Sequence, residues 1–184
     1  MNAVALLLAA ASSAVIAGAP VDKADSRLAK ESESYCASTA ETKATPEMIV
    51  EKVDEAIALL EKDGAKAYRK LQGKGSPFLF AGTYIWINDL DGHFLMHPLK
   101  PGLVGRNLLA LKDGNGKRFL AAMIQKVKTD GEGWVDYTWP RPGEKKRSLK
   151  VSFVKKAVLE GEEVLVGCGT YDLSEEQVQE LAGQ

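Results

Sequence analysis

The chain has 184 residues, 45% of them hydrophobic and 27% charged, which suits one globular domain with a short remainder. Lys plus Arg number 24 against 25 Asp plus Glu, and the resulting charge of -1 excludes a broad electrostatic grip on nucleic acid. Two Cys are too few for a disulfide-dense scaffold, a four-thiolate zinc site or an iron–sulfur cluster.

No charged side chain occurs between Met1 and Val21. An apolar run from Ala3 to Ala11, then small residues up to Ala19, has the order of a secretory signal, although no Lys or Arg precedes it. The expectation is a signal peptide over residues 1–19, cleaved after Ala17 or Ala19, and a periplasmic or secreted protein. An uncleaved anchor, which needs about 20 apolar residues, is the alternative. Residues 20–44 are polar and rich in Ser, Ala, Lys and Glu, without sustained periodicity. They read as a lead-in, in part helical.

A helix is expected to start at Thr45. Thr45 can cap it, Pro46 suits the first helical position, and Glu47 favours the positive end of the dipole. Ile49, Val53, Ile57 and Leu60 form one apolar stripe at helical spacing. Gly64 ends or bends this helix, and a short helical piece around Ala67, Tyr68 and Leu71 runs into the breaker Gly73–Pro77.

The pattern then changes to strands. Phe78–Asn88 reads as one strand, Asp89–Gly92 as a turn and His93–His97 as the returning strand of a hairpin. A Pro- and Gly-containing loop follows, then the turn Asp113–Gly116 and a helix over Lys117–Val127. Trp134–Trp139, Leu149–Val158 and Val164–Tyr171 are three further strands. The tail closes on a small helix, with Ser174 and Gln177 as a capping box and Leu173 and Val178 as a hydrophobic staple. The layout is α+β: a long N-terminal helix packed on a five-stranded antiparallel sheet, with helices gathered on one face.

These elements carry a resemblance. Tyr84–Gly92 followed by His97-Pro98, the loop Val104–Leu109, and the strands Gly133–Pro140, Lys150–Val154 and Val166–Tyr171 together resemble the single Cache domain, over roughly residues 45–172. The resemblance implies a PAS-like fold and an extracytoplasmic sensor domain of the kind found in chemoreceptors and histidine kinases, often for small carboxylates. The 173–184 segment is then a C-terminal capped helix after the domain. Because no second apolar segment follows, the expectation is an exported small-molecule binder without its own signalling module. Its ligand would be a small organic anion, and its partner a membrane receptor or kinase. A homodimer through the long helix is a further expectation. The competing expectation is a partner-binding or structural protein of the same fold without a ligand.

Strand alternation sorts the candidate binding residues. Tyr84, Trp86 and Asn88 share a face, as do Val135, Tyr137 and Trp139, and as do Lys150, Ser152 and Val154. Lys150 sits among hydrophobic strand neighbours, where a cation is costly to bury without an anion. Its place matches a lysine of the family, so the resemblance assigns it the carboxylate; a solvated lysine is the alternative. Tyr84, Trp86, Trp134 and Tyr137 offer apolar walls with polar edges, or plain core. Arg106, in the Gly-containing loop, can fork onto a carboxylate or form a surface ion pair. His97 is expected to hydrogen-bond rather than to share a metal with His93. Asp89-Leu90-Asp91-Gly92 begins like a calcium loop, but its twelfth position is Lys100, which excludes that reading. No nucleophile–base pair, phosphate loop or metal set is visible, so neither catalytic residues nor a cofactor are expected. Cys36 and Cys168 can bond in an oxidising compartment, or stand as two unrelated thiols.

Overall fold

A computed structural model of the protein describes residues 23–183; the expected signal peptide lies outside the described residues. The first described element is a helix, α1 (Lys23–Ser38), followed by α2 (Pro46–Asp63) and a 3-10 turn at Gly64–Arg69. Two short strands, β1 (Leu79–Phe80) and β2 (Thr83–Tyr84), precede β3 (Trp86–Asp89) and β4 (Phe94–Met96). Then come α3 (Phe119–Asp130), β5 (Glu132–Pro140), β6 (Arg147–Leu159), β7 (Glu162–Thr170) and α4 (Glu175–Ala182). The main sheet is antiparallel, in the order β4-β3-β7-β6-β5.

The expected start of α2 is present: Pro46 opens the helix and the Thr45 hydroxyl accepts from the Met48 N–H at 3.4 Å. Ile49, Val53, Ala56 and Leu60 are buried, and Gly64 terminates the helix with φ 59. At α4 both arms of the capping box form, Ser174 with the Gln177 N–H and Gln177 with the Ser174 N–H. Leu173 and Val178 pack in the same cluster.

The lead-in is helical in part: α1 covers 16 of its residues. Its buried stripe is Ala29, Ser32 and Cys36, side chains too small and polar to stand out as hydrophobic periodicity. Ser32 is fixed by accepting the Gly73 N–H at 2.8 Å. Two expectations need correction. First, the Phe78–Asn88 run is not one strand. Ala81 and Gly82 take φ of 46 and 69 and fold β1 back on β2 as a separate two-stranded sheet. An Ala-Gly pair is a weak hairpin signal beside Asn-Gly.

Lastly, the helices do not gather on one face. One core lies between the sheet and α2 and α4, built from Ile49, Leu60, Ile87, Trp134, Phe153 and Val178 among others. A second lies on the opposite face, under α3, with Tyr84, Trp86, Tyr137, Leu120 and Met123 among its members. The alternation from the end of β2 into β3 is as expected even so: Tyr84 and Trp86 enter one core, Ile85 and Ile87 the other.

Candidate functional site

The second core contains the site. β6 places Lys150 opposite Tyr137 of β5, with both side chains on the α3 face. Lys150 is 0% exposed, although it is a long cation at a mid-sheet position. Its Nζ lies 4.4 Å from the Tyr84 ring centroid, 4.8 Å from Tyr171 and 5.0 Å from Trp86. These rings present the negative face of their quadrupoles to a cation. The ammonium nevertheless has no hydrogen-bond partner among the described residues. Burial pushes its pKa from 10.5 down to about 7. A buried amine without an anion holds its proton weakly.

Two glycines of β7 make this arrangement possible. A Cβ on Gly167 would strike the Trp86 ring, and one on Gly169 would strike Ser152, the Val151 carbonyl and the Lys150 stem. Both residues are extended strand positions, so the requirement is for space rather than for unusual backbone angles.

The Tyr84 and Trp86 rings that flank the lysine also border a small hollow, which Lys150 itself does not line. Its sheet side is formed by Tyr84, Trp86, Phe94, Tyr137 and Trp139, and His97 lies at one edge. Phe119, Leu120 and Met123 of α3 close it from above, Phe119 stacking on Tyr137 at 4.7 Å with rings 7° from parallel. The cavity volume is about 10 Å³, room for roughly one water.

The polar edges are specific. His97 is buried, and its Nδ1 accepts the Leu99 and Lys100 N–H groups at 3.3 and 3.1 Å. The remaining proton of a neutral ring therefore sits on Nε2. Burial first, then the Lys150 and Lys100 charges, holds His97 well below the usual histidine range. The Tyr137 hydroxyl lies 3.2 Å from the Ser152 hydroxyl, and burial holds it well above the usual tyrosine range. The site thus offers one cation and two neutral polar groups, His97 and Tyr137, in an otherwise apolar box.

Of the candidates, Tyr84, Trp86, His97 and Tyr137 line the hollow, and Lys150 lies against the Tyr84 and Trp86 rings without lining it. Two candidates are elsewhere. Trp134 faces the opposite core, packed on Phe153 at 5.3 Å between centroids, because it is out of phase with Tyr137 on β5. Arg106 is exposed on its loop and does not line the hollow. The Cys36–Cys168 bond is likewise not formed: both thiols are buried and free. They converge on Thr83, whose carbonyl accepts from Cys36 Sγ at 3.1 Å and whose hydroxyl lies 3.8 Å from Cys168 Sγ. His93 does not join His97, but pairs with Asp89 at 2.9 Å in a half-exposed turn.

The sequence reading missed Tyr171, Trp139 and the α3 wall. Trp139 was legible as the same-face neighbour of Tyr137. Phe119, Leu120 and Met123 carried only the signal of a helix core.

Comparison with known proteins decides the family. The Single Cache domain 2 profile matches residues 40–182. This chain belongs to the single Cache family. Two curated relatives match part of this chain. The methyl-accepting chemotaxis protein McpP of Pseudomonas putida is 35% identical over 72 residues, 39% of this chain and 13% of McpP. The sensor histidine kinase MctS of Rhizobium johnstonii is 33% identical over 88 residues, 48% of this chain and 18% of MctS. The match thus spans a minor part of either relative's length.

Solved structures agree on the fold of this Cache domain. A periplasmic sensor domain of a chemotaxis protein superposes with a TM-score of 0.54 at 31% identity, covering 66% of this chain and 90% of that one. A Cache chemosensory domain described for carboxylic acid recognition gives 0.56 at 27% identity, covering 69% and 92%. A methyl-accepting chemotaxis protein from Vibrio parahaemolyticus gives 0.56 at 21% identity, covering 68% and 86%, a likeness of fold alone. No helix among the described residues is long and apolar enough to cross a membrane.

Proposed function

We propose that this Cache domain is an extracytoplasmic sensor module that binds a small carboxylate, with the Lys150 ammonium as its anchor. The observation that carries the reading is the buried Lys150 Nζ, ringed by Tyr84, Trp86 and Tyr171 and lacking any hydrogen-bond partner among the described residues. A carboxylate would supply the missing acceptor and counter-charge. The His97 Nε2–H and the Tyr137 hydroxyl are neutral donors for its second oxygen. The apolar walls set the scale of the ligand's carbon chain. Support also comes from the structural neighbour described for carboxylic acid recognition. A membrane receptor or kinase is the proposed recipient of the signal, by analogy with McpP and MctS.

The size of the hollow sets a condition. A volume of about 10 Å³ admits no carboxylate unless side chains move outward. Met123 is flexible and Trp139 is half-buried, so these are the side chains that yield. The same volume favours a second reading, a Cache scaffold that recognises a protein and takes no ligand.

Isothermal titration and thermal shift with acetate, propionate, lactate and pyruvate separate the two. The first reading predicts saturable binding and a raised melting temperature for at least one acid. Absence of both for every acid favours the scaffold.

A further inference from the structure

Of the nine side chains lining the hollow, Trp139 alone is not buried. Trp139 is therefore the lining side chain that reaches solvent, on a hollow whose Tyr84 and Trp86 walls also pack against the Lys150 ammonium. Lys100 rests on it: its Nζ lies 4.5 Å from the Trp139 ring centroid. The backbone N–H of Lys100 donates to His97 Nδ1 at 3.1 Å, which ties this half-buried residue to the edge of the hollow.

We infer that Trp139 and the Lys100 ammonium lying on it form the gate of the hollow, with Lys100 drawing a small organic anion to the mouth before Lys150 holds it. This rests on the carboxylate reading and adds its route of access. Three further observations agree. The Lys100 charge is felt at both His97 and Lys150, lowering the proton affinity of each. Arg147, at the start of β6, adds a second positive charge that acts on Lys100. Glu33 of α1 acts on it with the opposite sign, while accepting the Gly143 N–H at 3.3 Å. Lys100 on the Trp139 ring thus supplies the cation at the mouth, with the Arg147 and Glu33 charges acting on it in opposite senses. Lys150, fully enclosed, governs how long the anion stays. Lys100, at the rim, governs how often it arrives.

The test is stopped-flow tryptophan fluorescence with acetate on the wild type, Lys100→Gln and Glu33→Gln, paired with iodide and acrylamide quenching. Lys100→Gln should slow acetate association roughly fivefold and leave dissociation unchanged. The difference should close near about 0.5 M NaCl, where charges at the mouth are screened. Glu33→Gln should speed association. An unchanged association rate in Lys100→Gln, or a change confined to dissociation, overturns the gate. If the wild type takes up none of acetate, propionate, lactate and pyruvate, that contradicts the carboxylate reading, and the quenchers then decide the gate. Trp86 and Trp134 are buried, so iodide should report Trp139. Lys100→Gln must reduce quenching by anionic iodide and leave neutral acrylamide quenching alone; equal iodide quenching overturns the gate.

Discussion

The Lys150 Nζ sits 4.4 Å from the centre of the Tyr84 ring, fully buried and without a hydrogen bond among the described residues. An aromatic face compensates a buried ammonium only in part. The folded domain therefore carries an electrostatic cost at this point. A carboxylate that engaged the amine would relieve it.

Lys150→Met separates this cost from its use. Removing the charge while filling the space should leave the fold intact and raise stability by about 1–3 kcal/mol. The response to every carboxylate should disappear. Chemical denaturation and thermal-shift screening check the two halves. A variant less stable than the wild type, or one that still responds, contradicts the assignment.

The pH dependence has a definite sign. The folded-state pKa of Lys150, about 7, lies below its ordinary 10.5 because burial disfavours the cation. Between those values the unfolded chain binds more protons than the folded one at this group, so stability without ligand should rise with pH from 7 towards 10.5. Lys150→Met should lack this component of the rise in melting experiments. Carboxylate binding should run the other way. It needs the ammonium, so above pH 7 it should take up a proton and weaken, by at most about tenfold per pH unit. Titration in buffers of different ionisation enthalpy measures the uptake.

The β7 glycines should resist even alanine. Gly167→Ala forces Trp86 to move, and Gly169→Ala meets the Val151 backbone and the Lys150 stem. Each should cost about 1–3 kcal/mol of stability and reduce carboxylate affinity. Measured melting temperatures equal to wild type would show that the strand has slack the packing does not reveal.

Trp134 and Arg106 serve as controls for the site. Trp134 packs in the other core, and Arg106 is exposed. Trp134→Phe should lower stability, and Arg106→Ala should leave it within about 0.5 kcal/mol. Neither should change carboxylate affinity as read by titration calorimetry.

The buried thiols give a chemical check. Burial pushes Cys36 up to about 12 and Cys168 up to about 11, so neither is a competent thiolate at neutral pH. Ellman's reagent should find almost no thiol in the folded protein and two after unfolding without reductant. Finding none after unfolding would mean that the pair is bonded.

Much of the site was legible because strand alternation is strict. Once Tyr137 and Lys150 were placed on strands, their shared face with Val135 and Val154 followed, and a lysine on that face was conspicuous. The same rule misplaced nothing on β5; Trp134 was included for its chemistry although its phase put it opposite Tyr137. The helix bounded by Thr45 and Gly64 was readable because its caps and its apolar stripe agree. What stayed hidden depends on packing between distant segments. The helix at Lys23–Ser38 buries Ala29, Ser32 and Cys36, which carry little hydrophobic contrast. The hairpin at Ala81-Gly82 is set by tertiary fit, with Gly82 donating to Thr39 Oγ1 at 3.0 Å. The lid of the hollow comes from α3, whose Phe119, Leu120 and Met123 look like any helix core until the sheet beneath them is known. Tyr171 closes the aromatic box just past the end of its strand, where its hydroxyl reaches the Pro140 carbonyl at 2.9 Å.

The most direct test is an NMR titration of the Lys150 ε-carbon resonance with and without saturating propionate. The account predicts a midpoint near 7 in the free domain, moving well upward when the acid is bound. A free-domain midpoint at the ordinary value of 10.5, unmoved by the acid, would contradict it.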